Sequence, residues 1–453
     1  MKLTFLGATR QVTGSLFLLE TKKCKVLIDC GMFQGTDFNE ARNHDDFAFD
    51  VKKIDAVILS HAHLDHTGRV PKLVHDGFRG AVYGTEGTLA LAHLVWEDAL
   101  AIMAYEHRKF GAPLLFHTDD LAPARHACRP IKYNEWIEVK GCVRFRLHDA
   151  GHIFGSSFVE LSVEGKRLVF SGDLGNRNAP IVRDTQALPE NVDILLVEST
   201  YGDRLHESHA KRKHIIKEAV ETAVKRGGVV MIPAFSLERT QELIYELKQI
   251  IRENKGFPQV PIYIDSPLAI KALEVYRKHP EYYDAEAKLL KRIGGDFFKV
   301  PGLTMTLTRD ESKMINSAKN PKVIIAGSGM MNGGRIVHHL SRYIEDPKST
   351  VLIVGYQAEG TLGRRLYEGA SEVNIMGVRK RVHAKVVAVG ALSAHADQRK
   401  IIEWTTSPKH PPKQVFMIHG EPHAATELAH RLRDRMPVDT QIVVPEEGLC
   451  VEV

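Results

Sequence analysis

The run IDAVILS at 54–60 leads straight into HAHLDHTG at 61–68. The first part is apolar and β-prone, and it reads as a buried strand. The second part holds four ligand-type side chains within six residues, His61, His63, Asp65 and His66. Residues i and i+2 of an extended segment point the same way, so His61 and His63 can grip one ion. Asp65 and His66 then face a neighbouring position. Imidazole with carboxylate suits zinc, with manganese or iron as alternatives. A solvated polar loop is the bland alternative, and it accounts poorly for four such groups at one strand end.

Two more strand ends offer similar groups. His152 sits in DAGHIFGSS and Asp173 in VFSGDLG, both in turns that contain glycine. Alone, each reads as a turn or capping residue. With the first cluster they complete a ligand set for two ions. Around these points the first half alternates short strands and turns: KLTFLGA at 2–8, SLFLLET at 15–21, KVLIDCG at 25–31, CVRFRLHDAG at 142–151, SFVELSVE at 157–164 and DILLVEST at 193–200. A layered sheet architecture with helices outside follows. After Thr200 the pattern changes. HAKRKHIIKEAVETAVKRGG at 209–228 and LERTQELIYELKQIIREN at 237–254 read as amphipathic helices, separated by the strand GVVMIPAF. Strand–helix alternation of this length implies parallel pairing with right-handed crossovers. Residues 204–386 therefore read as an α/β insert. Residues 1–203 and 387–453 form the two parts of the first domain, with VVAVGALSAHADQ opening the return segment.

The chain has 453 residues, 43% apolar and 26% charged, an ordinary globular balance. Sixty-one Lys and Arg against 56 Asp and Glu leave a charge of +5, which permits an anionic partner without requiring one. The most apolar stretch, 87–105, carries His93, Glu97 and Asp98, so no transmembrane helix is expected. The N-terminus lacks a signal-peptide pattern, and the cytoplasm is the expected location. Five cysteines form no CxxC pair, which argues against a disulfide framework and against a cysteine zinc site. The unusual number is 23 histidines. His75, His93, His107, His117, His126, His148 and His206 have no ligand-type company and read as ordinary core or surface residues. His338 and His339 follow a glycine-rich turn and are intermediate.

HAHLDHTG, GHIFG at 151–155 and SGDLG at 171–175 together resemble the metallo-β-lactamase superfamily. The resemblance implies that His61, His63 and His152 hold one ion and that Asp65 and His66 hold a second. Asp173 bridges both, and Asp29 in VLIDCG supports the ligand loop from behind. EST at 198–200, SAHAD at 393–397 and HGE at 419–421 resemble the three added motifs of the β-CASP nucleases. Glu198, His395 and His419 would be their functional residues, His419 as a further ligand of the second ion. PAFSLERTQELI at 233–244, GSGMMNGGRIVHHL at 327–340 and GYQAEGTLGRRL at 355–366 resemble the RNA-processing branch, and a histidine at His419 goes with RNA rather than DNA. The chain opens on its first strand, so the N-terminal RNA-binding domains of archaeal relatives are not expected, nor is the C-terminal extension of ribonuclease J.

The implied fold is an αββα sandwich of α/β class with an inserted β-CASP domain of mostly parallel sheet. The implied activity is hydrolysis of RNA phosphodiester bonds by a metal-bridging hydroxide, in the cleft between the two domains. Two Zn²⁺ ions are expected, with Mn²⁺ as an alternative. Asp65, Glu198 and His395 form the expected catalytic set, in which His395 protonates the leaving oxygen and Glu198 orients it. Endonucleolytic cleavage is expected. A 5′-3′ exoribonuclease is the alternative, and a thioester or lactone hydrolase is a more distant one. A non-catalytic RNA-binding scaffold would have lost ligands, and this chain keeps them all. Single-stranded RNA is the expected partner. A homodimer is compatible with the family, and no membrane partner is expected. Glycines in GSGMMNGGR either let backbone N–H groups approach a phosphate at a helix N-terminus or simply make a tight turn. Ser328 and Arg335 are the expected RNA contacts there, with Arg239 and Arg364 on predicted helices as further ones.

Overall fold

The short apolar runs of the first 200 residues become two seven-stranded sheets in a computed structural model that describes residues 1–206, 209–293 and 295–453. The chain divides into two units, Met1–Leu205 with His395–Val453, and His206–Ala394. In the first unit one sheet runs, in spatial order, Cys450–Glu452, Lys2–Phe5, Phe17–Glu20, Lys25–Ile28, Ala56–Ile58, Ala81–Gly84 and Cys128–Pro130. The other runs Gln441–Val443, Gln414–Ile418, Ile194–Glu198, Lys166–Phe170, Ser157–Val163, Val143–Asp149 and Ile137–Val139.

Side-chain alternation explains why the middle strands of the second sheet are apolar throughout. Leu168, Phe170, Ile194, Leu196, Phe416 and Ile418 point into the core shared with Phe5, Phe17, Val26 and Ile58 of the first sheet. Val169, Leu195, Val197, Val415 and Met417 point the other way, onto Ile401, Trp404, Leu428 and Leu432 of the helices Gln398–Thr405 and Pro422–Arg433. Strands covered on both faces lose the polar half of the period-2 pattern. Full burial of each such side chain is worth about 1.5–3 kcal/mol.

Two expectations about this unit are corrected. His93, Glu97 and Asp98 do not interrupt the apolar stretch near 87–105. It is one helix, Glu86–Phe110, long and apolar enough by length and composition to cross a membrane. Leu89, Leu91, Ala92, Val95 and Trp96 bury one side of its first half, and the Trp96 indole N–H donates to the Thr67 carbonyl at 3.0 Å. That half of the helix packs into the core, while residues 101–110 are mostly exposed. The cysteine spacing also conceals a disulfide, Cys24–Cys142, with Cα atoms 6.6 Å apart. Its partners sit in turns of opposite sheets, 118 residues apart, so no local spacing announces the bond.

The second unit is built on a six-stranded sheet whose pairs are all parallel: Leu303–Met305, Ile262–Asp265, Lys322–Ala326, Val229–Pro233, Thr350–Ile353 and Lys385–Ala388. Its helices follow the sequence pattern. Leu243, Ile244, Leu247 and Ile250 line the buried side of Arg239–Glu253 at helical spacing. Ser266 caps Pro267–Lys278 by accepting from the Ala269 N–H, with proline at the first position. Lys385–Ala388 pairs with Thr350–Ile353 and so belongs to this sheet. The return segment therefore begins near His395, not at 387, because edge pairing rather than local sequence decides which sheet a short strand joins.

Two expected RNA contacts are spent inside this unit. Arg335 donates to Asp265 Oδ1 at 2.7 Å, to the Thr306 carbonyl at 2.9 Å and to the Leu307 carbonyl at 2.7 Å. Arg239 is buried and ion-paired with Glu242. The helix Ile336–Tyr343 also offers less to an anion than its glycines promise, since the Ile336 N–H already donates to the Gly327 carbonyl at 2.9 Å. Gly334, at φ +69°, makes the tight turn. A Cβ there would lie 2.4 Å from the Gly327 carbonyl oxygen.

Asp265 anchors this corner. Besides Arg335 it accepts from Thr306 Oγ1 at 2.6 Å and Ser312 Oγ at 2.7 Å, and its Oδ2 lies 2.8 Å from His339 Nε2. Burial alone would raise its pKa, but bonds from His339, Thr306, Ser312 and Arg335 outweigh it and hold the carboxyl at about 2. The folded value lies below the ordinary 3.8, so the contribution is present above pH 3.8 and is lost as pH falls toward 2. Asp265→Asn should lower the unfolding free energy at pH 7 by about 2 kcal/mol, with the gap to wild type narrowing below pH 3.8. Urea denaturation from pH 7 to pH 3 measures this. Equal stability at pH 7 would contradict the anchoring role.

Candidate metal centre

Parallel pairing sets the site. Lys166–Phe170, Ile194–Glu198 and Gln414–Ile418 run in the same direction, with Phe170 opposite Leu196 and Glu198 opposite Ile418. Their carboxyl ends therefore present Asp173, Glu198 and His419 along one edge. Val143–Asp149 ends at the same edge and delivers His152. From the other sheet, the parallel strands Lys25–Ile28 and Ala56–Ile58 deliver Asp29 and the 61–66 loop. Ligands of open α/β sheets gather at such carboxyl ends. The two sheets are tied here, as the Ser157 N–H and hydroxyl both donate to the Ser60 carbonyl, at 2.7 and 2.9 Å. The approach is close enough to need glycine: a Cβ on Gly175 would lie 1.7 Å from the Gly151 carbonyl oxygen, and one on Gly31 would lie 1.6 Å from that of Asp65.

The donor atoms form three overlapping groups, one of them Asp173, His395 and His419. His61, His63, His152 and Asp173 offer ligand atoms within 4.8 Å of one another, as do Asp65, His66 and His419. His61 Nε2 lies 2.9 Å from His63 Nδ1, which is 3.3 Å from His152 Nε2. His419 Nε2 lies 3.2 Å from His66 Nε2 and 3.3 Å from Asp65 Oδ2. Asp173 faces both the His61 group and the His66 group. Its Oδ2 is 3.4 Å from Nε2 of both His61 and His152, while its Oδ1 is 3.5 Å from His66 Nε2 and 3.6 Å from His419 Nδ1.

This arrangement fits divalent cations. Asp173 Oδ1 is buried with no hydrogen-bond partner among the described residues. Burial, reinforced by the neighbouring imidazoles, pushes His61 well below its ordinary pKa, so it is neutral as a ligand must be. Burial opposes a charge on His66 too, yet Asp173, Asp29 and Asp65 raise it to about 10. These three carboxylates favour positive charge at this position.

The support behind the ligands is extensive. Asp29, in left-handed backbone at φ +58°, accepts from the Ser60 N–H at 2.8 Å, from the Ser60 hydroxyl at 2.9 Å and from the Ser15 hydroxyl at 3.0 Å. Its Oδ2 lies 2.7 Å from His66 Nδ1, which fixes the tautomer that leaves Nε2 for a ligand. The sequence reading missed Ser60, whose hydroxyl also lies 3.1 Å from His61 Nδ1. It also missed Thr200, which stands 3.1 Å from His419 Nδ1. A serine abutting the ligand loop and a threonine two residues after an acidic motif were the available signals.

His395 joins the edge through a bridge to Gly175, and the Ala396 N–H donates to the Leu174 carbonyl at 2.7 Å. Its Nδ1 lies 3.2 Å from Glu198 Oε2 and 3.8 Å from Asp173 Oδ2. Burial would lower its pKa, but Glu198 and Asp173 outweigh that and raise it. Glu198 is buried and also accepts from the Leu174 N–H at 2.6 Å. Ser328, Arg335, Arg239 and Arg364 all lie in the second unit. Ser328 is half-buried in the glycine turn. Arg364 donates to Glu368 Oε1 and to the Gln357 carbonyl. Of the histidines read as ordinary, His148 is buried, stacked on Phe158 and 2.7 Å from Glu160.

Comparison with known proteins agrees with this geometry. Residues 9–224 match the metallo-beta-lactamase superfamily, 240–366 the Beta-Casp domain and 379–445 the Zn-dependent metallo-hydrolase RNA specificity domain. The chain is 40% identical to Ribonuclease TTHA0252 of Thermus thermophilus, over 93% of each protein. It is 32% identical to an RNase J-like protein of Methanocaldococcus jannaschii, over 100% of this chain and 99% of that protein. It is also 32% identical to the transcription termination factor FttA of Methanosarcina mazei, over 97% of this chain and 70% of that one. A crystal structure of a protein of unknown function from Enterococcus faecalis V583 superposes with a TM-score of 0.52 at 12% identity, covering 99% of both chains, which shows the fold alone.

Asp29→Asn replaces an acceptor of the His66 Nδ1–H with an amide that can donate toward it. Metal affinity, measured by chelator competition, should fall about 10- to 100-fold. Wild-type affinity in a folded Asp29→Asn protein would remove Asp29 from the site.

Proposed function

The chain belongs to the β-CASP group of the metallo-β-lactamase superfamily, and on that footing we propose that it is a divalent-metal-dependent ribonuclease. The observation that carries the reading is one strand edge. There Asp173 faces two histidine and aspartate groups at once, with His395 held by Glu198 beside them. In this proposal His61, His63, His152 and Asp173 hold one Zn²⁺, and Asp65, His66, His419 and Asp173 hold another, with Mn²⁺ as the alternative ion. Bound there, the ions would supply Lewis-acid charge to a phosphodiester and lower the pKa of water toward neutrality.

The protein's own groups do the rest. Glu198 accepts from His395 Nδ1–H, keeps the ring oriented and makes a proton on Nε2 easier to hold. His395 delivers that proton to the leaving ribose oxygen. Single-stranded RNA is the proposed substrate, supported by the match over 379–445 and by the ribonuclease names of the relatives. Ser328 remains the proposed backbone contact in the second unit. We favour internal cleavage over 5′-3′ exonucleolysis.

A time course on one 5′-labelled RNA and its DNA equivalent, with Zn²⁺ or Mn²⁺ and with chelator, tests this. Metal-dependent internal cuts in RNA alone are expected. Stepwise release of labelled mononucleotides would replace the endonuclease with an exonuclease. Intact RNA after incubation with metal-loaded protein would contradict the ribonuclease reading. His395→Ala should keep its metal and lose about 10²- to 10⁴-fold in kcat. Wild-type turnover in that variant would exclude the acid role.

A further inference from the structure

Thr200 lies two residues beyond the strand Ile194–Glu198 and is 2% exposed. Its hydroxyl oxygen is 3.1 Å from His419 Nδ1 and 3.0 Å from the His419 carbonyl oxygen. A hydroxyl has one proton and two lone pairs. The carbonyl oxygen of His419 can only accept. The proton therefore goes to an oxygen, and a lone pair is left for His419. Two acceptors do not bond one another, so Nδ1 must carry the hydrogen and donate it to Thr200. Nε2 is then the unprotonated nitrogen. It is the atom 3.2 Å from His66 Nε2 and 3.3 Å from Asp65 Oδ2. The opposite tautomer would aim an N–H into that group and set a Thr200 lone pair against the carbonyl. Asp173 Oδ1, at 3.6 Å from Nδ1, is too far to do this work instead.

The backbone of His419 is fixed by the same neighbourhood. It is left-handed at φ +48°, and its N–H donates to the Ala8 carbonyl at 2.7 Å. Its carbonyl accepts from the Ser199 N–H at 3.2 Å, while the Ser199 hydroxyl donates to the Ile418 carbonyl at 2.8 Å. Such a conformation is strained at a non-glycine residue, and these bonds hold it. Only the ring torsion and the tautomer are left to be set, and Thr200 contacts the one atom that sets both.

We infer that Thr200 is a positioning residue: its hydroxyl locks His419 in the Nδ1–H tautomer and thereby tunes the affinity for the ion held with Asp65 and His66. The inference rests on His419 being a metal ligand, as proposed above.

The test compares Zn²⁺ affinity of the full-length, zinc-loaded protein by chelator competition, with thermal midpoints as a check on folding. Thr200→Val should weaken the more labile ion about 10- to 100-fold, with Thr200→Ser restoring it to near wild type. Thr200→Ala gives the same reading if the valine variant does not fold. His419→Ala should weaken binding at least as much. If His419→Ala weakens binding and Thr200→Val does not, Thr200 has no positioning role. A serine variant as weak as the valine one would also overturn the inference, since the hydroxyl would not be the active feature. Wild-type affinity in His419→Ala would overturn the ligand reading itself, and the inference with it.

Discussion

Everything at the metal centre depends on the parallel register of three strands. Ile194–Glu198 and Gln414–Ile418 end level with one another, Lys166–Phe170 ends two residues short of them, and two ladders fix this register residue by residue. A slip of one residue would turn every side chain to the opposite face. It would turn Phe170, Leu196 and Phe416 out of the core between the sheets and toward the helices, and carry Asp173, Glu198 and His419 out of reach of the opposing loop. The hydrophobic core therefore does more than stabilise. It enforces the register that lets Asp173, Glu198 and His419, after three neighbouring strands, meet His61, His63, Asp65, His66, His152 and His395.

What the register assembles is electrically incomplete. Asp29, Asp65, Asp173 and Glu198 lie among imidazoles, and each carboxylate oxygen needs a hydrogen bond or a cation. Serine and threonine hydroxyls, backbone N–H groups and the far nitrogens of the histidines satisfy the outer side of the cluster. The inner side, where Asp173 faces both groups, is the candidate place for divalent metal. Left-handed backbone at Asp29 and His419 is the accompanying strain, of a kind that persists where surrounding bonds over-determine a functional geometry.

Much of this was legible in the sequence, for a physical reason. His61, His63, Asp65 and His66 are contiguous, and a strand followed by clustered ligands has few other uses. His152 and Asp173 end strands that alternation identifies, and the insert declares itself by its switch to strand–helix periodicity. The unread features depend on contacts that no local pattern encodes. Cys24 and Cys142 meet only because two turns of facing sheets meet. Arg335 looked like a phosphate ligand beside glycines, yet Asp265 and two carbonyls, all distant in sequence, take its donors. Lys385–Ala388 reads as a generic short strand, and only its partner assigns it to the second unit. Ser60 and Thr200 are small polar residues, and no local pattern shows which ring nitrogens their hydroxyls touch.

The most direct measurement is anomalous X-ray diffraction above the zinc edge from crystals of the zinc-loaded protein. The account predicts two peaks on either side of the Asp173 carboxylate. One would lie among His61, His63 and His152, and the other among Asp65, His66 and His419. A single peak, or zinc bound only elsewhere on the chain, would contradict it.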